Sequence, residues 1–451
     1  MALPPPTRFF LFTALLFGPV LAVLTPPFQS PDEYNHFFRA AQVSKGQWAP
    51  ETLAGNRLGG FLPQSLDSLK RIFLPLKSNA DRRVAASDFE RAFALRATDA
   101  PEVFLDFPNT AIYAPTAYLP QALGIGIARL LTDRILLWLY AARLANLLLW
   151  SCLVWLAIRA LPFYQWVWSG FALLPASLAI AASCNADVLS NGLAFWLVAV
   201  CCGPFSAAFR AAAWGGLLVL ALNKLVLAPL ALLWHFGQAE TRRGGALRQV
   251  WLPGVLAFAA AVGWGSLANG WFVPYDRYDV SLRDQQTLNP GVDPDGQLEY
   301  VLDHPLAFAR TVLGSALRAF PSMSAHLVGK FGWEKNYLPA WMLGALWLAL
   351  LALVAGAPNP LTGRQRLGVL GIASFSLLLW ALTMYALWCP VGAPVLDNWQ
   401  GRYFVPLLPL AALGLGREYS GAPYWLRGMA AGLLLLGNVL LLLEIFQRYY
   451  G

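Results

Sequence analysis

The chain has 451 residues, of which 58% are hydrophobic and 12% charged, with a formal charge of +8 at neutral pH. A typical soluble domain carries about 25% charged residues, so charge this sparse excludes a disordered chain and argues against a soluble enzyme. The natural solvent for much of the sequence is lipid. The basic balance lacks the clustered Lys and Arg of a nucleic-acid surface and fits retention of cytoplasmic loops, so the expected partner is a bilayer and no nucleic acid.

In chain order, the first apolar run, 9–24, follows Arg8 and is followed by Pro26-Pro27 without a small-residue cleavage site. It reads as a retained span with its N-terminus inside. Further spans are expected at about 137–158, 165–183, 187–205, 211–223, 225–237, 250–269, 338–356, 367–389, 403–416 and 425–446. Several are shorter than the roughly 20 residues a perpendicular crossing needs. With prolines or glycines in or beside them, the short ones suit broken or re-entrant helices lining a cavity. The run 112–131 carries Pro115 and Pro120 and decides the topology. Read as a juxtamembrane helix, it leaves Arg8, Arg159, Arg210, Arg242, Arg243, Arg248, Arg364, Arg366, Arg417 and Arg427 inside, which satisfies the positive-inside rule. The expected architecture is therefore a single all-α polytopic domain, 1–451, of about eleven spans. It has two large outer loops: 26–136, with juxtamembrane helices, and 270–337.

Cys152, Cys184, Cys201, Cys202 and Cys389 lie in or beside apolar runs and read as small buried hydrophobes. His36, His235, His304 and His326 show no metal-ligand spacing, and no zinc pattern, P-loop or GxGxxG fingerprint is present.

The sharpest local feature is Ser30-Pro31-Asp32-Glu33-Tyr34-Asn35-His36-Phe37-Phe38-Arg39. Ser30 with Glu33 has capping-box spacing and Pro31 suits a first helical position, so the acids could simply start a helix. On that helix Asp32, His36 and Arg39 share one face, an arrangement that suits a general base beside an anion-binding group. Asp187, in Ser183-Cys184-Asn185-Ala186-Asp187, is either a helix cap or a carboxylate facing the same outer cavity. Lys224 either snorkels to the interface or neutralises a phosphate. In Asp397-Asn398-Trp399-Gln400-Gly401-Arg402-Tyr403-Phe404, Arg402 could pair with phosphate while Gln400 and Tyr403 supply neutral hydrogen bonds, or the segment is an aromatic belt with an anchoring Arg. The patch Gly332-Trp333-Glu334-Lys335-Asn336-Tyr337 reads as an interfacial entry to a span.

Six stretches, PPFQSPDEYNHFFRAAQVSKG, IYAPTAYLPQALGIGIARLL, LPASLAIAASCNADVLSN, LALNKLVLAPLALL, FGWEKNYLPAW and WQGRYFVPLLPL, resemble the bacterial polytopic membrane family catalogued as domain of unknown function 2142. That family in turn resembles the GT-C glycosyltransferases, integral membrane enzymes that take a sugar from a polyprenyl phosphate on the outer leaflet. The resemblance implies that Asp32, with Glu33 beside it, occupies the catalytic acid position of the first outer loop. It also implies that Asp187 and Lys224 match an acid after the third span and a basic residue near the fifth. The expected activity is sugar transfer from a polyprenyl-phosphate donor to a glycan, lipid or protein acceptor, at the outer face of the bacterial inner membrane. In this reading Asp32 and Glu33 are catalytic, Glu33 orienting Asp32 or helping to hold a divalent metal. His36, Arg39, Asp187, Lys224, Gln400, Arg402 and Tyr403 bind substrate. A flippase for a lipid-linked glycan and a non-catalytic envelope assembly protein are the rival readings.

Overall fold

A computed structural model describes residues 4–203, 207–235, 246–333, 336–417 and 423–451. Of the residues singled out above, Arg242, Arg243, Glu334 and Lys335 lie outside the described residues. The chain opens with helix α1 (Pro5–Leu24), whose Phe10, Ala14, Phe17 and Leu21 are buried while Phe12, Leu15, Leu16, Val20 and Val23 are exposed. An exposed apolar stripe of that kind needs lipid, not water. Among the described residues five stretches are long and apolar enough to cross a bilayer: Pro5–Leu24, Ile135–Ala160, Leu252–Arg277, Gly363–Trp388 and Tyr424–Tyr449.

The expected short spans are short in the structure, and proline marks their breaks. The 165–183 run divides into Gln165–Ala172 and Pro175–Ala181, with Pro175 at the start of the second helix. The 403–416 run begins as a 3-10 turn, Gly401–Leu407, before the helix Leu408–Leu415. The Leu225–His235 segment is 3-10 throughout, with Pro229 inside it. Proline removes a backbone donor and clashes with the preceding turn, so these segments cannot run as continuous α-helix.

Between α1 and the Ile135–Ala160 helix lies a structured loop, where the mostly helical chain adds a small sheet that the sequence reading did not include. Strands β1 (Glu51–Leu53), β2 (Arg57–Pro63) and β3 (Glu102–Asp106) form an antiparallel sheet in the order β1-β2-β3. Gly59 pairs with Asp106 and Phe61 with Phe104. The 270–337 stretch packs onto this sheet: the Tyr278 hydroxyl donates to Asp106 Oδ1 at 2.7 Å, and Asp279 N donates to the Asn56 carbonyl. The 112–131 run becomes a 3-10 turn, Pro115–Tyr118, and a helix, Leu119–Leu131. Thirteen helical residues reach only about 20 Å, short of the roughly 30 Å hydrocarbon core.

Helix α2 (Glu33–Ser44) is buried along its length, and one ion pair fixes it to the bundle. Arg143, 1% exposed in the middle of Ile135–Ala160, donates from Nε to Glu33 Oε1 at 2.8 Å and from Nη2 to Glu33 Oε2 at 2.6 Å. Its other protons go to the carbonyls of Ala22, Thr25 and Pro26, at the end of α1 and just beyond it. The Glu33 carboxylate also accepts from Phe28 N and Cys184 N, so both its oxygens are fully used. The capping-box expectation is therefore corrected. Glu33 does not reach back to Ser30 because Arg143 holds it, and the helix begins at Glu33 with no side-chain cap. Of the cysteines, Cys184 and Cys389 are buried as expected, whereas Cys152 is exposed.

Glu33→Gln is expected to destabilise the protein by roughly 3–5 kcal/mol, because it strands a buried guanidinium. The double variant Glu33→Gln, Arg143→Met should recover part of that loss. Thermal unfolding in detergent measures both, and a wild-type midpoint for Glu33→Gln would refute the anchoring role.

Candidate functional site

Asp32 sits immediately before α2 with φ 63°, in the left-handed region that non-glycine residues rarely enter. Asn398 shares that conformation at φ 67°, and both residues line one cavity of about 560 Å³. Such strained positions persist where the surroundings over-determine them, commonly at functional sites. The volume lies within the roughly 300–1,000 Å³ typical of small-molecule sites.

A chain of four alternating charges crosses one wall. Arg402 Nη2 donates to Asp32 Oδ2 at 2.6 Å, Arg402 Nε lies 4.0 Å from Asp187 Oδ2, and Lys224 Nζ is 2.6 Å from Asp187 Oδ1. Two acids and two cations balance, which is how ionisable groups at the edge of apolar spans are tolerated. Lys224 stands where the Ala207–Asn223 helix gives way to the 3-10 segment, and its ammonium also lies 5.4 Å from the Tyr403 ring. Asp187 starts the Asp187–Cys202 helix without capping it. Asn185 Oδ1 instead accepts from Asp187 N at 2.8 Å, freeing the Asp187 carboxylate for Lys224. Arg402 is placed by Gly401, whose backbone lies against the Pro305–Gly329 helix. A Cβ at Gly401 would come within 2.4 Å of Leu327 N.

His36 also lines the cavity. Its Nδ1 is 3.0 Å from the Tyr118 hydroxyl, which is fully buried and has no other hydrogen-bond partner among the described residues. A buried hydroxyl has to donate somewhere, so Tyr118 donates to Nδ1 and the ring proton resides on Nε2. Burial pushes the imidazole down to about 4, against the opposing pull of Asp32 and Asp187. At neutral pH His36 is thus an uncharged donor.

Of the residues expected at the site, Asp32, His36, Asp187, Gln400, Arg402 and Tyr403 line the cavity, and Lys224 reaches it through Asp187. Two do not belong. Glu33 is consumed by Arg143, so a divalent metal held between Asp32 and Glu33 does not fit these donors. Arg39, one turn beyond His36, is fully buried, does not line the cavity and donates to Gln42 and to the carbonyls of Trp48 and Tyr113, bracing the first loop. The cations expected to hold a phosphate, Arg402 and Lys224, are each committed to a carboxylate.

Sequence reasoning missed Tyr113, Asn109, Thr287, Asn289 and Trp388, all of which line the cavity. No local pattern marks them, because they come from segments far apart in the sequence that only folding brings together. Arg143 was also missed, although an arginine within an apolar run was signal enough.

The family description "Predicted membrane protein (DUF2142)" matches residues 15–411. The chain belongs to the DUF2142 family of predicted membrane proteins. No curated protein and no solved structure matches the chain. The matched span includes Asp32, His36, Asp187, Lys224 and Arg402, so the charged wall lies within the family region.

Because His36 is neutral in the fold while the unfolded chain takes up a proton below about 6.5, its contribution to stability is complete above that pH and lost as pH falls toward 4. His36→Gln should show a smaller drop in unfolding midpoint than wild type between pH 7.5 and pH 4.5. Equal drops would mean that the imidazole is not buried uncharged.

Proposed function

We propose that this protein is a GT-C-type glycosyltransferase with about eleven spans, seated in the bacterial inner membrane with its cavity on the extracytoplasmic side. Its donor is a sugar on polyprenyl phosphate, and its acceptor is an envelope glycan, lipid or protein. The observation that carries the reading is the state of Asp32. One carboxylate oxygen, Oδ2, is held by Arg402, while Oδ1 has no hydrogen-bond partner among the described residues and the side chain borders a cavity of about 560 Å³.

In this reading an acceptor hydroxyl lies against Asp32 Oδ1, and Arg402 fixes the carboxylate in position. The hydroxyl oxygen forms a bond to the anomeric carbon, its proton passes to Oδ1, and the bond from that carbon to the phosphate oxygen breaks. The polyprenyl phosphate leaves with the electron pair, and the anomeric configuration inverts. The charge that develops on the leaving phosphate is what nearby donors stabilise most in the transition state. His36 Nε2–H and the Gln400 and Tyr403 side chains are suited to hydrogen-bonding sugar hydroxyls, which both donate and accept.

Asp32→Asn keeps the shape and an oxygen for Arg402 but removes the base. In proteoliposomes supplied with lipid-linked sugars it should lower transfer by about 10²-fold or more, the usual contribution of general-base catalysis, in a protein that still unfolds cooperatively. Full transfer by Asp32→Asn would sink the assignment. Binding of a lipid-linked glycan without bond formation by the wild-type protein would point to a flippase.

A further inference from the structure

The helix Leu119–Leu131, which leads from the first loop into the Ile135–Ala160 span, has two sides of opposite character. One side, with Gln121, Ala122, Gly124, Ile125 and Ala128, is buried. The other carries Leu119, Leu123, Ile127, Leu130 and Leu131, each between 42% and 86% exposed. At 3.6 residues per turn these five aliphatic side chains fall within about one third of the circumference. Single apolar residues are ordinary on a wet surface, but a contiguous band of them marks a place of contact.

Packing fixes which way the band faces. A Cβ at Gly124 would meet the Ala141 carbonyl oxygen at 2.5 Å and the Ala145 Cβ at 2.8 Å, so only glycine lets this helix lie so close to the span. Gly124 and Ala141 lie at similar distances on either side of the turn 132–134, so the two helices run antiparallel and side by side from that turn. With Gly124 turned inward, Leu123 and Ile127 turn outward. Gln121, the only polar side chain between Leu119 and Ala128, donates to the Asn185 carbonyl at 3.2 Å and so leaves the outward side wholly apolar.

The neighbouring span gives this side its depth. Ile135–Ala160 has 26 residues, about 39 Å of helix, which exceeds the roughly 30 Å hydrocarbon core and approaches the 40–45 Å of a bilayer with its headgroups. Arg134 stands before it and Arg159 in its last turn, which suits headgroup level at both ends. Near the first of these ends the Arg129 guanidinium lies 5.5 Å from the Trp138 ring, whose indole donates to the Thr132 carbonyl. Tryptophan and arginine together are the usual anchors of a membrane interface. On the span, Leu144 and Leu148 carry the exposed apolar surface on from the place where the two helices meet.

We propose that Leu119–Leu131 is a re-entrant helix seated in the outer leaflet, its exposed aliphatic side covered by lipid acyl chains and Arg129, Arg134 and Trp138 at headgroup level. The occupant is lipid because the band is continuous with the exposed face of a membrane span and ends in cations suited to lipid phosphates. This is deeper than the juxtamembrane position read from the sequence. Pro115 and Pro120 break the chain at its deepest point, and Tyr118, between them, holds His36. That wall of the large cavity therefore lies among acyl chains, below the headgroups. The surface stands whether or not the protein transfers sugar.

The full-length protein in nanodiscs tests the proposal, with phosphatidylcholine carrying a diazirine midway along one acyl chain. After photolysis and peptide mapping, carbene adducts on 119–127 should match those on 144–148 within about twofold, since both face the same hydrocarbon. A water-soluble diazirine should label the exposed stretch 78–81 and leave 119–127 unlabelled. Labelling of 119–127 by the aqueous probe and not by the lipid would overturn the proposal. Protection of 119–127 from both probes would overturn it as well, and cross-linked dimers would then name a second copy of the chain as the occupant.

Discussion

Arg143 lies within an apolar helix, and among the described residues its counter-charge is Glu33, in the stretch between α1 and that helix. Neither group could be buried alone, since an unpaired ion in a low-dielectric interior costs several kcal/mol. Each therefore requires the other, and the requirement ties the end of α1, the start of α2, the Cys184 turn and the Ile135–Ala160 helix to one point. Asp32 is the residue before Glu33. Its left-handed conformation and its direction into the cavity follow from a neighbour that cannot move.

The same economy of charge organises the cavity wall. Asp32, Arg402, Asp187 and Lys224 come from four distant parts of the sequence and form an alternating series in which each acid meets a cation. Proline breaks in the flanking segments make this possible. Lys224 emerges where an α-helix gives way to a 3-10 segment, and Arg402 rides on a 3-10 turn pressed against a neighbouring helix by Gly401. Irregular backbone at such places is tolerated because it borders a polar cavity, not lipid.

Much of the site was legible from local signals. Asp32, Asp187, Lys224 and Arg402 stood out because ionisable residues at the edges of apolar runs are rare and expensive. Arg39 shared a face with Asp32 and His36 by helical spacing, and the family resemblance set Glu33 beside Asp32 as a catalytic acid. Periodicity gives the face of a helix but not what packs against it: Arg143 claimed Glu33, and Gln42 with the Trp48 and Tyr113 carbonyls claimed Arg39. The sheet in the first loop was missed because β1 has three residues and β3 five, too few for alternation to stand out.

The sequence by itself determined that this is a membrane protein, where its apolar helices lie, where prolines break them and which isolated charges need partners. Those properties depend on composition and on residues within a turn or two of each other. Tertiary structure decided which acid borders the cavity and which is buried against Arg143, and which cation each acid meets. Such outcomes depend on distances of a few ångströms between segments hundreds of residues apart, and local pattern carries no information about them.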